Sequence, residues 1–600
     1  MFSKVLVANR GEIAIRVMRT LEEMGIASVA VYSEIDRDAL HVQRADEAYL
    51  LGGPTAAESY LNVDKILEVV RESGAEAVHP GYGFLAENAA FARACEEAGI
   101  VFIGPPASAI DAMGSKTKAR ELMQAAGVPI VPGTTEAVDT YEDALRIAND
   151  EIGFPVAVKA ASGGGGKGFR VALTEDKLKD AFEGASREGE KFFSDGTVYL
   201  ERYLPDPRHV EVQILADRHG NVIHLGERDC SVQRRHQKLI EESPAPAVDA
   251  AMRERIGKIG VDAAKAVDYV GAGTIEGMLQ DGEYFFLEMN TRVQVEHCVT
   301  EMTTGIDIVR EGILAAAGEP LTVAQEDVVL RGHAIECRIN AEDASKKFAP
   351  APGKIGGYKE PSGPGVRVDS GVGPGGEVSP MYDPMVAKLI VWDKDRESAT
   401  RRMLRALGEY EIEGLKTLIP FHTALLATDQ WANAETCRDL VEEKDWLKTL
   451  AFPRVGGVGG PDSPAGDGED EKVEQAYTVE VSGRRFDVTV IGPPPAGGVA
   501  VATGASNGAA PKRRGERKSS GGGGADELVS PLQGNMWKVL VEQGQTVEEG
   551  QLLCIIEAMK MENEITAHKA GVIEKLSIKE GEPIQAGAPI ASIKSPPASE

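Results

Sequence analysis

The sequence lacks several features that would assign it to other classes of protein. Six cysteines are scattered over 600 residues without a CxxC pair, which indicates reduced thiols and predicts the cytoplasm. No apolar run reaches the ~18 residues of a membrane span, and the first residues, MFSKVLVANRGEIAIRV, lack a signal-peptide pattern. The formal net charge of −29 argues against nucleic acid as a partner. Any anionic substrate would need a local basic site.

Alternating strand and helix patterns near the N-terminus predict a parallel sheet covered by helices. One strand–helix–strand unit is predicted over residues 4–32 and a second, with a glycine loop at 80–83, over residues 76–104. The GxGxxG fingerprint is missing after the first strand, so a nicotinamide cofactor is not indicated. Mixed α+β patterns continue to about residue 446.

Two linker-like stretches follow. Residues 455–475 are rich in Gly, Pro and acid, and residues 505–524 in Gly, Ala and Ser around a basic KRRGERK. Between them, YTVEVSGRRFDVTVIG (477–492) alternates with period two, which predicts a hairpin. Residues 526–596 have the pattern of a compact, turn-rich β segment.

This last segment contains an internal repeat. Three glycines recur at an offset of 37 (571−534, 581−544, 587−550): Gly534 as Gly571, Gly544 as Gly581, and Gly550 as Gly587. Each predicts a turn with positive φ, and the two halves are expected to be similar β units. Lys560 lies between them in EAMKME. A lone lysine is ordinarily a solvated surface residue, but here it stands between two methionines where an exposed hairpin is predicted.

The glycine run at 163–168 is predicted to be the tip of a flap. Its flanks, PVAVKA and FRVAL, have strand patterns, so no helix follows as a phosphate-binding Rossmann or Walker motif would require. The backbone N–H groups of Gly164, Gly165 and Gly166 are candidates to close over a polyphosphate. An ordinary flexible loop is the alternative.

Two lysines near the flap are candidate phosphate ligands. Lys159 lies within the apolar strand that precedes the flap, where a lysine is costly unless it meets an anion. Lys116 is the second candidate.

A pair of glutamates in apolar strands predicts a metal site. TIEGML and EYFFLEMN read as strands around an Asp281-Gly282 turn. A plain two-residue loop would pair position 276 with 287, whereas a three-residue loop or a bulge pairs Glu276 with Glu288; we predict the second register. Two adjacent buried carboxylates repel unless a cation lies between them, and Mg²⁺ with Asn290 as third ligand fits. Solvated surface positions are the alternative.

The residues that follow predict an anion site. Arg292, Gln294, Val295 and Glu296 combine a cation, an amide and a carboxylate, which suits a small anion such as bicarbonate; a salt-bridged surface loop is the alternative. The segment RDCSVQRRHQK (228–238) is a basic island and a candidate phosphate site.

Together these motifs resemble the biotin carboxylase family. HPGYGFLAEN (79–88) is similar to the family's HPGYGFLSEN, and RDCSVQRRHQK, EMNTRVQVEH and RGHAIECRINAED also match. The flap-and-lysine layout resembles the ATP-grasp superfamily, and the AMKM tetrapeptide around Lys560 resembles the biotinyl domain family. The resemblance covers about residues 1–446 and, separately, 526–596. Cys298 departs from it, because the family usually has proline there, and it is expected to loosen a turn beside the bicarbonate site.

The resemblance implies α/β and α+β domains followed by an all-β one. A Rossmann-like N-terminal domain is expected at 1–113, an ATP-grasp domain with a glycine-rich lid at 114–330, and a C-terminal α+β domain at 331–446. A linker with a candidate partner-docking hairpin is expected at 447–525, and a biotinyl domain at 526–596.

The resemblance also implies a role for each site residue. Nucleotide binding is expected of Lys116, Lys159, Glu201, Leu204, His209, Gln233 and His236. Metal binding (Mg²⁺ or Mn²⁺) is expected of Glu276, Glu288 and Asn290. Bicarbonate is expected to contact Arg292, Gln294 and Val295, with Lys238 at its junction with phosphate and Glu296 as general base. Arg338 is expected to stabilise the enolate of biotin, Tyr82 to lie beside biotin, and Lys560 to carry it.

The implied activity is ATP- and bicarbonate-dependent carboxylation of biotin on Lys560. A separate carboxyltransferase (β) subunit would then transfer the carboxyl group to an acyl-CoA. A biotin protein ligase and a second copy of the chain are further expected partners. The biotinylated subunit of a two-subunit pyruvate carboxylase, another ATP-grasp ligase and a non-catalytic carrier are the alternatives.

Overall fold

The computed structural model describes most of the chain. Described are residues 1–134, 136–160, 168–193, 196–235, 237–450, 473–481, 484–492, 527–530, 534–558, 561–584 and 587–594. Within these ranges, no helix has both the length and the apolar character that crossing a membrane requires. Residues 453–525 form one unit and the remainder forms another.

The N-terminal region folds as the predicted parallel sheet. Its strands are β1 (Lys4–Val7), β2 (Ala27–Ser33), β3 (Glu47–Gly52), β4 (Ala77–His79) and β5 (Val101–Phe102), and its helices are α1 (Gly11–Glu23), α2 (Leu40–Arg44), α3 (Val63–Ser73), α4 (Ala89–Glu97) and α5 (Ala107–Gly114). The strand order is β3-β2-β1-β4-β5, with every pairing parallel. Asn9, directly after β1, donates hydrogen bonds to the carbonyls of Pro80 and Tyr82 at 2.7 and 2.8 Å, which holds the glycine loop at the carboxyl edge of the sheet.

A small three-stranded sheet carries the flap. Its elements are α6 (Lys116–Ala125), α7 (Tyr141–Ile147), β6 (Val156–Ala160), β7 (Phe169–Ala172), α8 (Glu175–Phe193) and β8 (Val198–Arg202). β6 pairs antiparallel with β7, with Lys159 opposite Phe169, and with β8 on its other side. The predicted hairpin is confirmed, while its tip at 161–167 lies outside the described residues.

The middle of the chain is mostly long antiparallel strands. Its elements are β9 (Arg208–Ala216), β10 (Val222–Arg234), β11 (Gln237–Ser243), α9 (Ala250–Lys265), β12 (Gly271–Gln280), β13 (Glu283–Asn290), α10 (His297–Thr304) and α11 (Ile308–Ala316). Val210, Val212 and Ile214 of β9 are fully buried beneath α9, because alternate residues of a strand face the same side.

Residues 333–449 complete the same sheet and add helices. The strands are β14 (His333–Asn340), β15 (Glu342–Asp343), β16 (Ala349–Pro350), β17 (Gly353–Lys354), β18 (Tyr358–Lys359), β19 (Val366–Ser370), β20 (Glu377–Val378), β21 (Met385–Asp393) and β22 (Glu411–Ile412). The helices are α12 (Arg396–Glu409), α13 (Ile419–Leu426), α14 (Asp429–Ala432), α15 (Arg438–Glu442) and α16 (Lys444–Thr449). The large sheet runs in the order β13-β12-β9-β10-β11-β14-β21-β19. It therefore continues across the boundary that the sequence places at residue 330, because β11 pairs with β14.

The segment around 477–492 is a hairpin, as predicted. β23 (Val473–Val481) pairs antiparallel with β24 (Arg484–Gly492) over their full length.

The C-terminal segment forms two four-stranded sheets. Its strands are β25 (Glu527–Val529), β26 (Gly534–Val539), β27 (Thr546–Val547), β28 (Leu552–Ala558), β29 (Met561–Thr566), β30 (Gly571–Leu576), β31 (Pro583–Ile584) and β32 (Pro589–Lys594). β26, β27 and β28 recur as β30, β31 and β32 at the same offset of 37 (571−534, 583−546, 589−552), so the predicted repeat is confirmed.

The glycines of the repeat serve two purposes. Gly544, Gly550, Gly581 and Gly587 have φ between 81° and 91°, as predicted for turns. The prediction is wrong for Gly571, which begins β30 in an extended conformation and is needed because a Cβ there would collide with the carbonyl oxygen of Lys594.

Candidate functional site

The large sheet aligns four charged side chains across neighbouring strands. Glu211 on β9 lies opposite Arg228 on β10 and, on its other side, opposite Glu276 on β12. Glu276 in turn lies opposite Glu288 on β13. Directly paired residues share one face of a sheet, so this row presents three carboxylates and a guanidinium to the same side.

The register of β12 and β13 is the predicted one. The turn at Asp281 and Gly282 has two residues with φ of 53° and 77°, and the pairing shifts between Glu276 and Gly277. Because Gly277 pairs with Phe286, the bulge lies at Leu287 and brings the two glutamates opposite each other.

Lys238 on β11 connects the carboxylates. Its Nζ lies 2.6 Å from Glu211 Oε2, 2.8 Å from Glu276 Oε1 and 2.6 Å from Glu296 Oε1. Burial alone would favour the neutral amine, but these three carboxylates outweigh it and raise the pKa of Lys238 well above its ordinary value. Lys238 is therefore a fixed positive charge at the centre of the site.

Glu276 is held by several donors. Its Oε1 accepts from Asn290 at 2.7 Å and from Gln294 at 2.6 Å, and its Oε2 lies 2.9 Å from His209 Nε2. Burial opposes ionisation, yet Lys238 and His209 outweigh it and hold the pKa of Glu276 well below its ordinary value. Burial would lower the pKa of His209, but the neighbouring Glu276 carboxylate outweighs burial and raises it.

Three oxygen-bearing side chains on β12 and β13 fit a hard cation. Glu276, Glu288 and Asn290 occupy paired or adjacent same-face positions, and two carboxylates with an amide oxygen are the donor type that Mg²⁺ or Mn²⁺ takes. The Asn290 amide oxygen accepts from Arg292 Nη2 at 2.9 Å and its Nδ2 donates to Glu276, so its two ends are oriented. The donor set therefore fits a divalent metal.

The loop between β13 and α10 brings the predicted anion-binding residues to the same place. Arg292 Nε donates to Glu87 Oε2 at 2.8 Å, and Gln294 Oε1 accepts from Arg228 Nη2 at 3.0 Å. Glu296 accepts from Lys238 and, at 3.0 Å, from Arg338 Nη2. Burial would raise the pKa of Glu296, but these two cations together lower it below its ordinary value. Glu296 is therefore ionised at neutral pH, as a proton acceptor must be.

Lys159 and Glu201 form a second cluster at the flap sheet. Glu201 accepts from Arg120 Nη1 at 2.5 Å and forms an ion pair with Lys159, while Leu204 lies half-buried just after β8. Lys116 is the first residue of α6. The predicted nucleotide-binding residues thus divide between this cluster and His209 on β9.

Three further predicted positions have contacts outside the Lys238 network, and five others lie outside the described residues. The Tyr82 hydroxyl lies 4.0 Å from Met385 Sδ, Gln233 Nε2 donates to the carbonyl of Cys230 at 3.2 Å, and the Val295 carbonyl accepts from Lys388 at 2.9 Å. Outside the described residues are His236, Gly164, Gly165, Gly166 and Lys560. β28 ends at Ala558 and β29 begins at Met561, and these two residues pair with each other.

The basic island of the sequence is not one surface. Arg228 is fully buried and donates to Glu211, Gln213 and Thr300 at 2.5, 2.6 and 3.0 Å. Arg234 instead stacks on the ring of Phe348, with 4.7 Å between its Cζ and the ring centroid. Plain alternation would give both residues, six apart on β10, the same face, but the pairing of β10 with β11 shifts register between Asp229 and Gln233 and interrupts the alternation. The island therefore divides, and Arg228 organises the site from within.

Cys298 lies in a helix and not in a loosened turn. It is the second residue of α10, fully buried, with its Sγ 3.1 Å from Lys388 Nζ and 3.3 Å from Asp369 Oδ2. Burial raises the pKa of its thiol well above the ordinary value. The expected turn at this position is therefore wrong, while the expected effect on rigidity stays a prediction.

Sequence reasoning missed Glu87, Glu211 and Glu241 as members of the site. Glu211 appears in the sequence as one glutamate of an alternating strand, RHVEVQILA, and only a charge surrounded by valines signals its burial. Glu87 belongs to the quoted HPGYGFLAEN motif, and its contact with Arg292 spans 205 residues.

Models of four protein families match the chain in consecutive order. They are the biotin carboxylase N-terminal domain (residues 1–110), the carbamoyl-phosphate synthase L chain ATP-binding domain (115–324), the biotin carboxylase C-terminal domain (336–443) and the biotin-requiring enzyme domain (526–593). The matches together span the described N-terminal, middle and C-terminal regions.

Individual relatives agree with these matches. The alpha3 subunit of a biotin-dependent acyl-coenzyme A carboxylase from Mycobacterium leprae is 46% identical over 600 residues, covering 99% of this chain and 98% of that one. A pyruvate carboxylase subunit from Methanothermobacter thermautotrophicus is 55% identical over 443 residues, covering 74% of this chain and 90% of that one.

A solved structure is similar in fold as well. The biotin carboxylase domain of Hydrogenobacter thermophilus 2-oxoglutarate carboxylase, crystallised with MgADP, ADP and bicarbonate, is 48% identical with a TM-score of 0.70, covering 76% of this chain and 99% of that one. With the network around Lys238 and the duplicated β domain that follows, these similarities establish that the chain belongs to the biotin carboxylase family and is an enzyme of the type that carries its own biotinyl domain.

Proposed function

We propose that the protein uses ATP and bicarbonate to carboxylate a biotin on its own Lys560, and that it supplies the carboxyl group to a separate acyl-CoA carboxyltransferase subunit. The observation that carries the proposal is the position of ionised Glu296. It lies between Lys238 and Arg338, in the same network as the carboxylate pair Glu276 and Glu288.

In this proposal Glu296 accepts the proton of bicarbonate. Its two oxygens bind different cations, Lys238 at 2.6 Å and Arg338 at 3.0 Å, so the carboxylate is fixed in position before a substrate arrives. Arg292, only 20% exposed at its side chain, is oriented by Glu87 and neutralises the anion. Gln294 is fixed at both ends, because its oxygen accepts from Arg228 while its Nε2 donates to Glu276.

Glu276, Glu288 and Asn290 would hold the divalent metal, which supplies charge neutralisation for the triphosphate. The ammonium of Lys238 and the amides of Asn290 and Gln294 bind Glu276 in this structure. Lys238 would keep its remaining partners Glu211 and Glu296 when a metal takes Glu276, so it stays charged and in place beside the phosphate.

Arg338 would act on biotin, whose ureido nitrogen accepts the carboxyl group. Its Nε is tied to Glu241 Oε1 at 2.6 Å, and its Nη2 reaches Glu296. The guanidinium stabilises negative charge on the ureido oxygen, and the tie to Glu241 keeps it pointed at the site.

An acyl-CoA is favoured over pyruvate because of the chain's full-length similarity. The Mycobacterium leprae acyl-coenzyme A carboxylase relative aligns with 99% of this chain, and the propionyl-CoA carboxylase alpha chain of Ruegeria pomeroyi aligns with 97%. The pyruvate carboxylase relative aligns with 74% and does not span the whole chain. The acyl chain length is left to the partner, whose active site would select it.

Two measurements test this function. ADP release by the purified chain should require bicarbonate and should be stimulated by free biotin; release that is independent of both would rule out the proposed reaction. The co-purified partner should then carboxylate acetyl- or propionyl-CoA. Turnover of pyruvate in place of any acyl-CoA would instead identify the protein as the biotinylated subunit of a pyruvate carboxylase.

The hairpin β23–β24 is proposed to dock the partner subunit. It is a paired element within a stretch that otherwise has linker composition. Deleting 473–492 should abolish co-purification of the partner while leaving biotin-stimulated ADP release unchanged. Retained association would show that the hairpin has another purpose.

A further inference from the structure

Two buried glutamates lie beside Arg338. Glu241 on β11 and Glu336 on β14 are directly opposite each other across the antiparallel pair, and both are fully buried. Glu336 also shares its face of β14 with Arg338, two residues along the strand. Directly opposed residues have Cβ atoms about 4.5–5.5 Å apart, so the two carboxyl groups are neighbours.

The described residues around these two carboxyl groups supply fewer hydrogen-bond donors than the carboxyl groups have oxygens. Glu241 Oε1 accepts from Arg338 Nε at 2.6 Å, but within the described residues its Oε2 has no partner. Neither oxygen of Glu336 has a partner among the described side chains and backbone. Three neighbouring buried oxygens without a hydrogen-bond partner indicate that one of the two carboxyl groups is protonated, because a protonated carboxyl can donate a hydrogen bond to its neighbour.

The surrounding charges do not remove the need for a proton. Arg338 is shared between Glu241 and Glu296, and Lys388 on β21 donates to the Val295 carbonyl at 2.9 Å and contacts Cys298. Charged and titratable groups surround the pair on every side: Lys238 on β11, Arg338 and Cys337 on β14, Cys230 on β10, Lys388 on β21, Asp369 on β19, Glu12 on α1, and Glu296 and Cys298 at the start of α10. Each of the two cations nearest the pair is therefore shared with a carboxylate outside it, Arg338 with Glu296 and Lys388 with Asp369 at 3.8 Å.

The electrostatics agree with this geometry. Burial, opposed only in part by Lys388, raises the pKa of Glu336 well above its ordinary value. Burial raises the pKa of Glu241 to about 7, although Arg338 opposes the shift. Two adjacent buried carboxyls titrate as a unit, and one of the two retains a proton where a solvated pair would have none.

We propose that Glu336 is a positioning residue for the carboxylation reaction: its protonated carboxyl donates a hydrogen bond to Glu241 Oε2, which holds Glu241 in the place from which it orients Arg338. Glu336 itself touches no substrate. The inference rests on the proposed function insofar as Arg338 acts on biotin. When Glu336 ionises at alkaline pH, two negative charges oppose each other across the strands, Glu241 moves, and Arg338 loses its orientation.

Two substitutions separate the hydrogen bond from packing. Glu336→Gln keeps the shape and a donor but cannot ionise, so it should retain kcat at pH 7 and lose the fall in rate at alkaline pH. Glu336→Met keeps similar volume without a donor, so biotin-stimulated ADP release should fall by about tenfold, the value of one buried hydrogen bond, with KM for ATP unchanged. Bicarbonate-dependent ADP release without biotin should fall less, because Lys238 still holds Glu296 when Arg338 loses its orientation.

Glu227→Gln is the matched control. Glu227 is equally buried and is bound by Arg253 at 2.7 and 2.8 Å, outside this network, so its substitution should leave the pH profile of the rate unchanged. An alkaline limb that persists unchanged in Glu336→Gln overturns the proposal, and so does wild-type kcat in Glu336→Met.

Infrared spectroscopy detects the proton on Glu336 directly and does not depend on the enzymatic activity. The infrared spectrum of the full chain at pH 7 should contain the C=O stretch of a protonated carboxyl that is absent from Glu336→Gln. Its absence from the wild type overturns the inference even if ADP release behaves as proposed. Conversely, a wild type without bicarbonate-dependent ADP release contradicts the proposed function while the proton on Glu336 remains measurable.

Discussion

Replacing Glu296 with Gln tests the proposed proton acceptor most directly. The carboxylate lies 2.6 Å from Lys238 Nζ and 3.0 Å from Arg338 Nη2, and it is 2% exposed. The amide that replaces it would keep the volume and one acceptor but cannot take a proton. General acid–base groups contribute about 10²–10⁴-fold, so kcat should fall by that factor, or about 3–5 kcal/mol in barrier.

The same substitution should cost much less stability than activity. Lys238 retains Glu211 and Glu276, and Arg338 retains Glu241, so neither cation is left buried without a carboxylate. The expected loss is that of charge-assisted hydrogen bonds, about 1.5–3 kcal/mol in the free energy of unfolding. Thermal unfolding and biotinylation of Lys560, detected with streptavidin, should therefore remain measurable in the variant.

The assay is bicarbonate-dependent ADP release with saturating free biotin. Glu227→Gln serves as control, because it neutralises an equally buried carboxylate that binds Arg253 away from the site. The control should lose comparable stability and keep kcat. If Glu296→Gln retains more than about a tenth of the wild-type kcat, a loss too small for general-base catalysis, the assignment of the base is refuted.

Three further outcomes are expected. Arg228→Met should lower the free energy of unfolding by about 3–5 kcal/mol in urea titrations, because five buried acceptors lose their donor at once, although Glu211 keeps Lys238; these acceptors are Glu211, Gln213, Thr274, Thr300 and Gln294. A loss below about 1 kcal/mol would contradict the organising role of Arg228. Burial raises the pKa of Glu12 from 4.5 to about 8, so the fold favours its neutral form and wild-type stability declines between these pH values. The melting temperature of Glu12→Gln relative to wild type should therefore rise as the pH increases from 4.5 to about 8 and should stay constant above that. A constant difference in melting temperature across this range would refute the raised pKa of Glu12. Lys560→Arg should abolish streptavidin-detected biotinylation and leave ADP release stimulated by free biotin intact; loss of both would mean that Lys560 also supports the carboxylase site.

Local sequence patterns predicted the strands and turns that form the site. The alternation around Glu276 and Glu288 and the Asp281-Gly282 turn gave the hairpin β12–β13, because these are short-range properties of the backbone. The constant spacing of glycines likewise predicted the duplicated β units, since a turn with positive φ strongly favours that residue.

Longer-range contacts could not be predicted from the residues alone. Lys238 meets three carboxylates that are 27, 38 and 58 residues away, and Arg16 meets Glu301 over 285 residues. For the same reason the sequence could not divide the basic island between buried Arg228 and Arg234, which stacks on Phe348, because it does not say which residues of β10 the sheet buries. Family motifs indicated Glu296 and Arg338, but Glu211 and Glu241 carry no motif signal.

The sequence by itself therefore determined the kinds of element, the hairpin that pairs two glutamates, and the family to which the motifs belong. Only the tertiary structure decided which charges neutralise one another and which carboxyl groups keep a proton. Electrostatic energy depends on distance and burial, so two buried glutamates can differ in protonation. Glu296 lies between two cations and is ionised, whereas Glu336 lies opposite another carboxyl group, and its pKa is raised.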